Sequence, residues 1–186
     1  MGARLTARVV PGAADYLDRW SRLHGGAAAT GLVGWWLRFT YRLAVPLARL
    51  GVGPDAVTAL GLLVAVAVLV PASAGGRWPL LGVLLVVVSG VLDNLDGAVA
   101  VLTDRTTRWG FVLDSLCDRV ADAAYAAALA LAGGPWVLAV AGAALAWLHE
   151  YARARAAVAG MPEIGVVTVS ERPTRVVVTA MFLLGA

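Results

Sequence analysis

The chain contains no lysine; all 15 of its basic residues are arginine. It is also poor in charge of either sign, with Asp, Glu, Lys and Arg making up 15% of 186 residues. Soluble domains carry about a quarter charged residues and about half apolar ones. This chain is 60% hydrophobic, with a mean hydropathy of +0.80. That balance points to lipid as the solvent rather than to a water-soluble globule. A single cysteine, Cys117, excludes an intrachain disulfide and leaves the redox compartment open. The N-terminus, MGARLTARVVPGAADYLDRW, lacks the unbroken apolar core of a signal peptide. A sequence pI of about 9.6 invites a nucleic-acid reading, yet no basic stripe interleaved with aromatics is present, so nucleic acid is set aside. Internal repeats and low-complexity linkers are lacking too, which predicts a single membrane domain.

What is present comes in long apolar blocks. Residues 1–29 are polar and rich in Gly and Ala, and read as a cytoplasmic extension. Residues 30–186 read as a polytopic, all-α transmembrane helix bundle that opens with an interfacial amphipathic helix over 30–50. In that helix Arg38, Arg42 and Arg49 form a narrow stripe at ~100° per residue, and Trp35, Trp36, Leu37 and Phe39 cover other faces. Pro46 is expected to kink it. The first span starts at Gly53-Pro54-Asp55 and runs to about residue 74. A second opens at Trp78 and continues beyond Leu92 into DNLDGAVAV without a stop signal. A third covers about 109–131, the Gly133-Gly134-Pro135 turn follows, and a fourth covers about 136–158. After a polar loop, VVVTAMFLLGA provides a fifth segment shorter than the ~20 apolar residues a crossing needs. It reads as a truncated span.

Arginine sets the orientation. Arg77 alone falls in an outward turn, and Arg119 lies inside a span. The other arginines gather in the N-terminal region, the 103–108 loop and about the 159–174 loop. The positive-inside rule places those regions in the cytoplasm, giving a multi-pass protein of the cell membrane.

The informative residues are carboxylates at membrane depth, where ionised groups are costly and by default mark function. Asp93 and Asp96 are three apart, Gly97 is four from Asp93, and Ala100 is four from Asp96. Gly110, Asp114 and Asp118 repeat every four. Each set therefore shares one helix face. Asp93 precedes Arg105 by 12 residues and Asp118 follows it by 13, so a hairpin turning near 105 brings both faces to the same inner-leaflet layer. Four converging carboxylates repel unless cations balance them. An all-oxygen ligand set favours hard ions, Mg²⁺ or Mn²⁺. Gly97, Ala100 and Gly110 allow either close approach of a substrate or tight helix packing, and the two are compatible.

This pattern resembles the signature of the CDP-alcohol phosphotransferase (CDP-alcohol phosphatidyltransferase) family, D-x-x-D-G-x-x-A-R-x8-G-x-x-x-D-x-x-x-D. Seven of its eight fixed positions are in register, and Val101 stands where the family has arginine. The upstream VPLARLGVGPDAVTALGLL looks like the family's interfacial helix and first span. The resemblance implies two Mg²⁺ or Mn²⁺ ions held by Asp93, Asp96, Asp114 and Asp118, with Asp118 also serving as general base. Gly97, Ala100 and Gly110 would line the CDP site, with Arg108 or Arg105 standing in for the missing arginine. The donor implied is CDP-diacylglycerol, the acceptor is a small alcohol, and CMP is released. Family members are often homodimers.

Two further stretches, LHEYARAR and SERPTR, resemble the S-Y-x-K-A-R and E-R-P-x-R segments of the phosphatidylinositol-phosphate synthase branch. That implies an acceptor phosphate bound by Arg153, Arg155, Arg172 and Arg175, with inositol phosphate the first choice and glycerol phosphate the second. Arg153 stands where that branch has lysine, and Glu150 where it has serine. Individually these arginines read equally well as positive-inside residues. Asp122 lies off the signature and reads as a buried partner for Arg119 or for a neighbouring helix. Cys117 reads as a small packing residue, and His149 as an interface histidine without a role. The competing classes are a Mg²⁺-dependent intramembrane prenyltransferase, whose carboxylate motifs lie on widely separated helices, and a divalent-metal transporter, whose site lies nearer the midplane.

Overall fold

The computed structural model describes residues 10–161 and 172–185, although the Arg172 and Pro173 side chains lie outside that description. The described residues are helical, with no strand among them. In chain order the helices are α1 (Ala13–Leu23), α2 (Gly31–Arg49), α3 (Pro54–Ala67), α4 (Leu69–Ala74), α5 (Pro79–Thr103), α6 (Arg108–Leu131), α7 (Trp136–Val158) and α8 (Arg172–Leu184).

The expected first span is divided by a turn at Val68 between α3 and α4. Pro71 has no N–H to return to the carbonyl one turn back, and Val68 N bonds Ala65 O in a tighter three-residue turn. The second span runs on through the acidic stretch as one 25-residue helix, α5, roughly 37 Å long. Pro54–Ala74 and Pro79–Thr103 are long and apolar enough to cross a membrane. Helices α6 and α7 have 24 and 23 residues but are less apolar. Asp114, Asp118, Arg119 and Asp122 lower the hydropathy of α6, and His149, Glu150, Arg153 and Arg155 that of α7. Helix α8 begins at Arg172, earlier than the apolar pattern predicts, because a proline at the second helical position costs no intrahelical bond.

The chain divides into two compact units. The first comprises the residues up to Leu60 together with Val91–Asp114. Its core joins Tyr16 of α1, Leu37, Ala44 and Ala48 of α2, Val57 of α3, and Leu95, Val99 and Leu102 of α5. Tyr41 donates to Pro11 O at 3.0 Å, and Trp36 Nε1 donates to Asn94 Oδ1 at 3.2 Å, so α2 is tied to the chain before α1 and to α5. Gly34 permits close passage of the preceding loop, since a Cβ there would lie 2.4 Å from Ala29 O.

The second unit comprises Gly61–Gly90 and the residues from Ser115 onward. Its core uses Val68, Ala72, Val86, Ala121, Tyr125, Ala128 and Leu183. Alanines on α6 let neighbouring backbones come close, the usual way helices gain packing contacts in lipid. The Ser89 and Tyr125 hydroxyls hydrogen-bond inside it.

Candidate functional site

The hairpin from Asp93 to Asp114 lies wholly in the first unit, and its turn is defined by local chemistry. Asp104 adopts a left-handed conformation (φ 54°) that ends α5, and Arg105 N returns to Ala100 O at 2.9 Å. Thr107 caps α6: its hydroxyl accepts from Gly110 N at 2.9 Å. These two caps set where the acidic face of each helix begins.

Within this unit a carboxylate oxygen of Asp93 lies within 4.8 Å of one of Asp114. Two ionised carboxylates that close repel unless a cation lies between or beside them, so the donor set suits a hard divalent ion. Asp96 is almost fully buried, at 6% exposure, and both of its oxygens are engaged. Thr58 donates to Oδ2 at 2.6 Å, and Gly97 N donates to Oδ1, also at 2.6 Å. An oriented carboxylate of this kind retains outward lone pairs for a metal while its rotamer is held.

A cleft of about 230 Å³ opens beside these residues, lined in part by Asp55, Thr58, Asp96, Gly97, Ala100, Gly110 and Asp114. A Cβ added at Gly97 would meet nothing within 4 Å. Close helix packing therefore does not account for glycine there, and the space beside it is open. Gly110 differs, because its added Cβ would lie 3.1 Å from Thr107 Oγ1 and 3.6 Å from Asp55 Oδ1. Arg105 borders the cleft, whereas Arg108 is exposed at the start of α6. Val101 is 8% exposed and packs in the apolar core of this unit. Asp55 and Thr58 lie outside the aspartate signature. Their signal was faint: an acidic residue and a hydroxyl three apart in the first turn of an otherwise uncharged helix.

Asp118 follows Asp114 by one turn of the same helix, so the two share a face. It falls in the second unit, where Arg119 Nη2 lies 3.9 Å from its Oδ2. Asp122, only 4% exposed at its side chain, forms ion pairs with Arg119 Nη2 at 3.0 Å and with Arg175 Nε of α8 at 3.2 Å. Both partners foreseen for Asp122 are thus found. Arg153 Nη1 meets Glu150 Oε1 at 3.2 Å and Oε2 at 3.3 Å, and Arg175 Nη1 stands 3.9 Å from the same carboxylate. Arg153 and Arg175 therefore converge on Glu150. Arg155 is exposed, and the Arg172 side chain lies outside the described residues. Beside Arg175, Asp122 and His149 a cavity of about 570 Å³ continues between apolar residues of α6, α7 and α8.

The profile of the CDP-alcohol phosphatidyltransferase family matches residues 52–186. The chain is 43% identical over 88 residues to a phosphatidylinositol phosphate synthase of Mycobacterium marinum, covering 47% of this chain and 37% of that protein. It is 30% identical over 138 residues to an archaetidylinositol phosphate synthase of Pyrococcus horikoshii, covering 74% and 72%. With a phosphatidylinositol phosphate synthase of Mycobacteroides abscessus it shares 35% identity over 150 residues, covering 76% and 66%. The chain thus spans between about a third and three quarters of the length of these relatives. No solved structure was found to match it. With seven signature positions in register and the profile running across nearly three quarters of its length, this chain belongs to the CDP-alcohol phosphatidyltransferase family.

Proposed function

We propose that the chain transfers the phosphatidyl group of CDP-diacylglycerol to a phosphorylated polyol, inositol phosphate first and glycerol phosphate second, releasing CMP. The observation that carries this reading is the pairing of Asp93 with Asp114 within 4.8 Å, beside a buried, doubly hydrogen-bonded Asp96 and the open space at Gly97. Two Mg²⁺ or Mn²⁺ ions bound there would neutralise the pyrophosphate and stabilise charge on the departing CMP.

The chain's own residues do the rest. Asp93, Asp96 and Asp114 would hold the ions, and Thr58 and Gly97 N fix the Asp96 carboxylate through hydrogen bonds to its two oxygens. Gly97 and Ala100 let the donor's phosphates approach α5, and Arg105 gives the cleft a cationic edge. Asp118 takes the proton from the acceptor hydroxyl. The acceptor oxygen then forms its bond to the lipid-side phosphorus while the bond from that phosphorus to CMP breaks. Arg153, Arg155, Arg172 and Arg175 would receive the acceptor's phosphate, which the guanidinium fork matches.

The setting follows from the same reading. Residues 30–186 form a multi-pass transferase domain in the cell membrane. Its site faces the cytoplasm, α2 lies along the interface, and residues 1–29 extend into the cytoplasm. The exposed apolar residues of α7, among them Trp136, Leu138 and Leu145 at 69%, 68% and 66%, suit lipid contact. The test is CMP release by the purified chain from CDP-diacylglycerol with Mg²⁺ and a panel of alcohols, with products read by mass. Inositol phosphate should give the fastest release. An absence of CMP with every acceptor refutes the proposal, and consumption of a prenyl pyrophosphate instead would favour the prenyltransferase class.

A further inference from the structure

Three arginines of the second unit, Arg119, Arg153 and Arg175, are matched by three carboxylates, Asp118, Asp122 and Glu150. Among the described residues, the charges in this cluster are therefore balanced. Its two kinds of anion differ in accessibility. Asp122 is 4% exposed and joins α6 to α8 through Arg175 Nε. Glu150 is 25% exposed on α7, and it occupies Arg153 through both oxygens while standing 3.9 Å from Arg175 Nη1. A carboxylate between two guanidiniums presents much of what a phosphate would present there: a compact anion with several acceptor oxygens.

We infer that Glu150 is an internal stand-in for the acceptor's phosphate and sets the acceptor affinity of this protein. The inference rests on the reading of Arg153 and Arg175 as the acceptor site. A phosphorylated acceptor reaching these arginines must displace the Glu150 carboxylate from Arg153. Until the carboxylate swings away, it also repels the incoming dianion. Both effects weaken binding, and both vanish when the side chain is neutral. Asp122 acts in the opposite sense. Held by Arg119 and largely out of solvent, it anchors the Arg175 guanidinium at its Nε edge and leaves the remaining nitrogens to a ligand. It is a positioning residue.

The experiment is calorimetric titration of inositol phosphate, and separately of inorganic phosphate, into the full chain in lipid nanodiscs. Glu150→Gln should bind inositol phosphate about tenfold more tightly than the wild type, a change equivalent to about 1.4 kcal/mol. Glu150→Asp, which keeps the charge but withdraws it by one methylene, should fall between the two and serves if the glutamine variant folds poorly. Asp122→Asn should bind more weakly, although it too removes a negative charge. Equal or weaker binding by Glu150→Gln, or binding by none of the proteins, overturns the inference. CMP release is followed in parallel. Tightened binding in a protein that releases no CMP refutes the transferase reading while leaving the role of Glu150 intact, and CMP release with unchanged binding does the reverse.

Discussion

Replacing Thr58 by valine tests whether Asp96 is a prepared ligand or merely a buried acid. Valine has nearly the shape of threonine, so at a position 8% exposed it leaves the packing of α3 on α5 in place. What it removes is the hydroxyl, with its 2.6 Å hydrogen bond to Asp96 Oδ2 and its longer 3.2 Å approach to Pro54 O. Bonds to charged groups are worth about 1.5–3 kcal/mol, and a buried acceptor left without its donor bears the full desolvation cost. The variant should therefore lose about 2 kcal/mol of stability. Loss of a partner that orients a metal ligand typically costs about 10–100-fold in affinity, so binding of Mn²⁺, followed by electron paramagnetic resonance, should weaken by that factor. Thr58→Ser keeps the hydroxyl and should bind Mn²⁺ as the wild type does. Unchanged Mn²⁺ affinity in Thr58→Val, in protein that unfolds at its usual temperature, would refute the view that Asp96 is held for a metal.

Gly97→Ala separates folding from chemistry. With nothing within 4 Å of the added Cβ, the variant should unfold no lower than the wild type and gain up to about 1 kcal/mol from helix propensity. CMP release should nonetheless fall at least tenfold (a change of about 1.4 kcal/mol in barrier), and full activity would place the donor elsewhere. Asp118→Asn should abolish transfer while leaving donor binding intact, and a variant that still turns over would remove the base assignment. Arg153→Ala and Arg175→Ala should raise the KM for the phosphorylated acceptor more than that for the lipid donor, and equal effects on both would dissolve the acceptor site. Arg175→Ala should in addition lower stability by roughly 2 kcal/mol, because it removes the 3.2 Å ion pair that ties the buried Asp122 to α8.

The difference between what the sequence disclosed and what it concealed follows from how far apart the interacting residues lie along the chain. Spacing within one helix is written directly in residue numbers. Asp93, Asp96, Gly97 and Ala100 fall on one uninterrupted helix, as their three- and four-residue intervals predict, and so do Gly110, Asp114 and Asp118. Even the hairpin turn was legible in outline, although the left-handed Asp104 and the Thr107 cap that define it belong to a stretch whose residues are individually unremarkable.

Pairings between helices carry no such signature. Thr58 and Asp96 are 38 positions apart, and a threonine in a Val- and Leu-rich span reads as packing until the second helix is placed against it. The arginines show the same limit more sharply. From the sequence, Arg153 and Arg175 read equally well as positive-inside residues or as a phosphate clamp, and the positive-inside rule weighs Lys and Arg while nearly ignoring acids. The structure puts Glu150 between them and Asp122 behind one of them. Whether a cluster is basic or balanced depends on which acids the tertiary fold delivers. In this chain the two acids act differently: Glu150 is what an acceptor phosphate would have to displace, and Asp122 holds Arg175 in place to receive it.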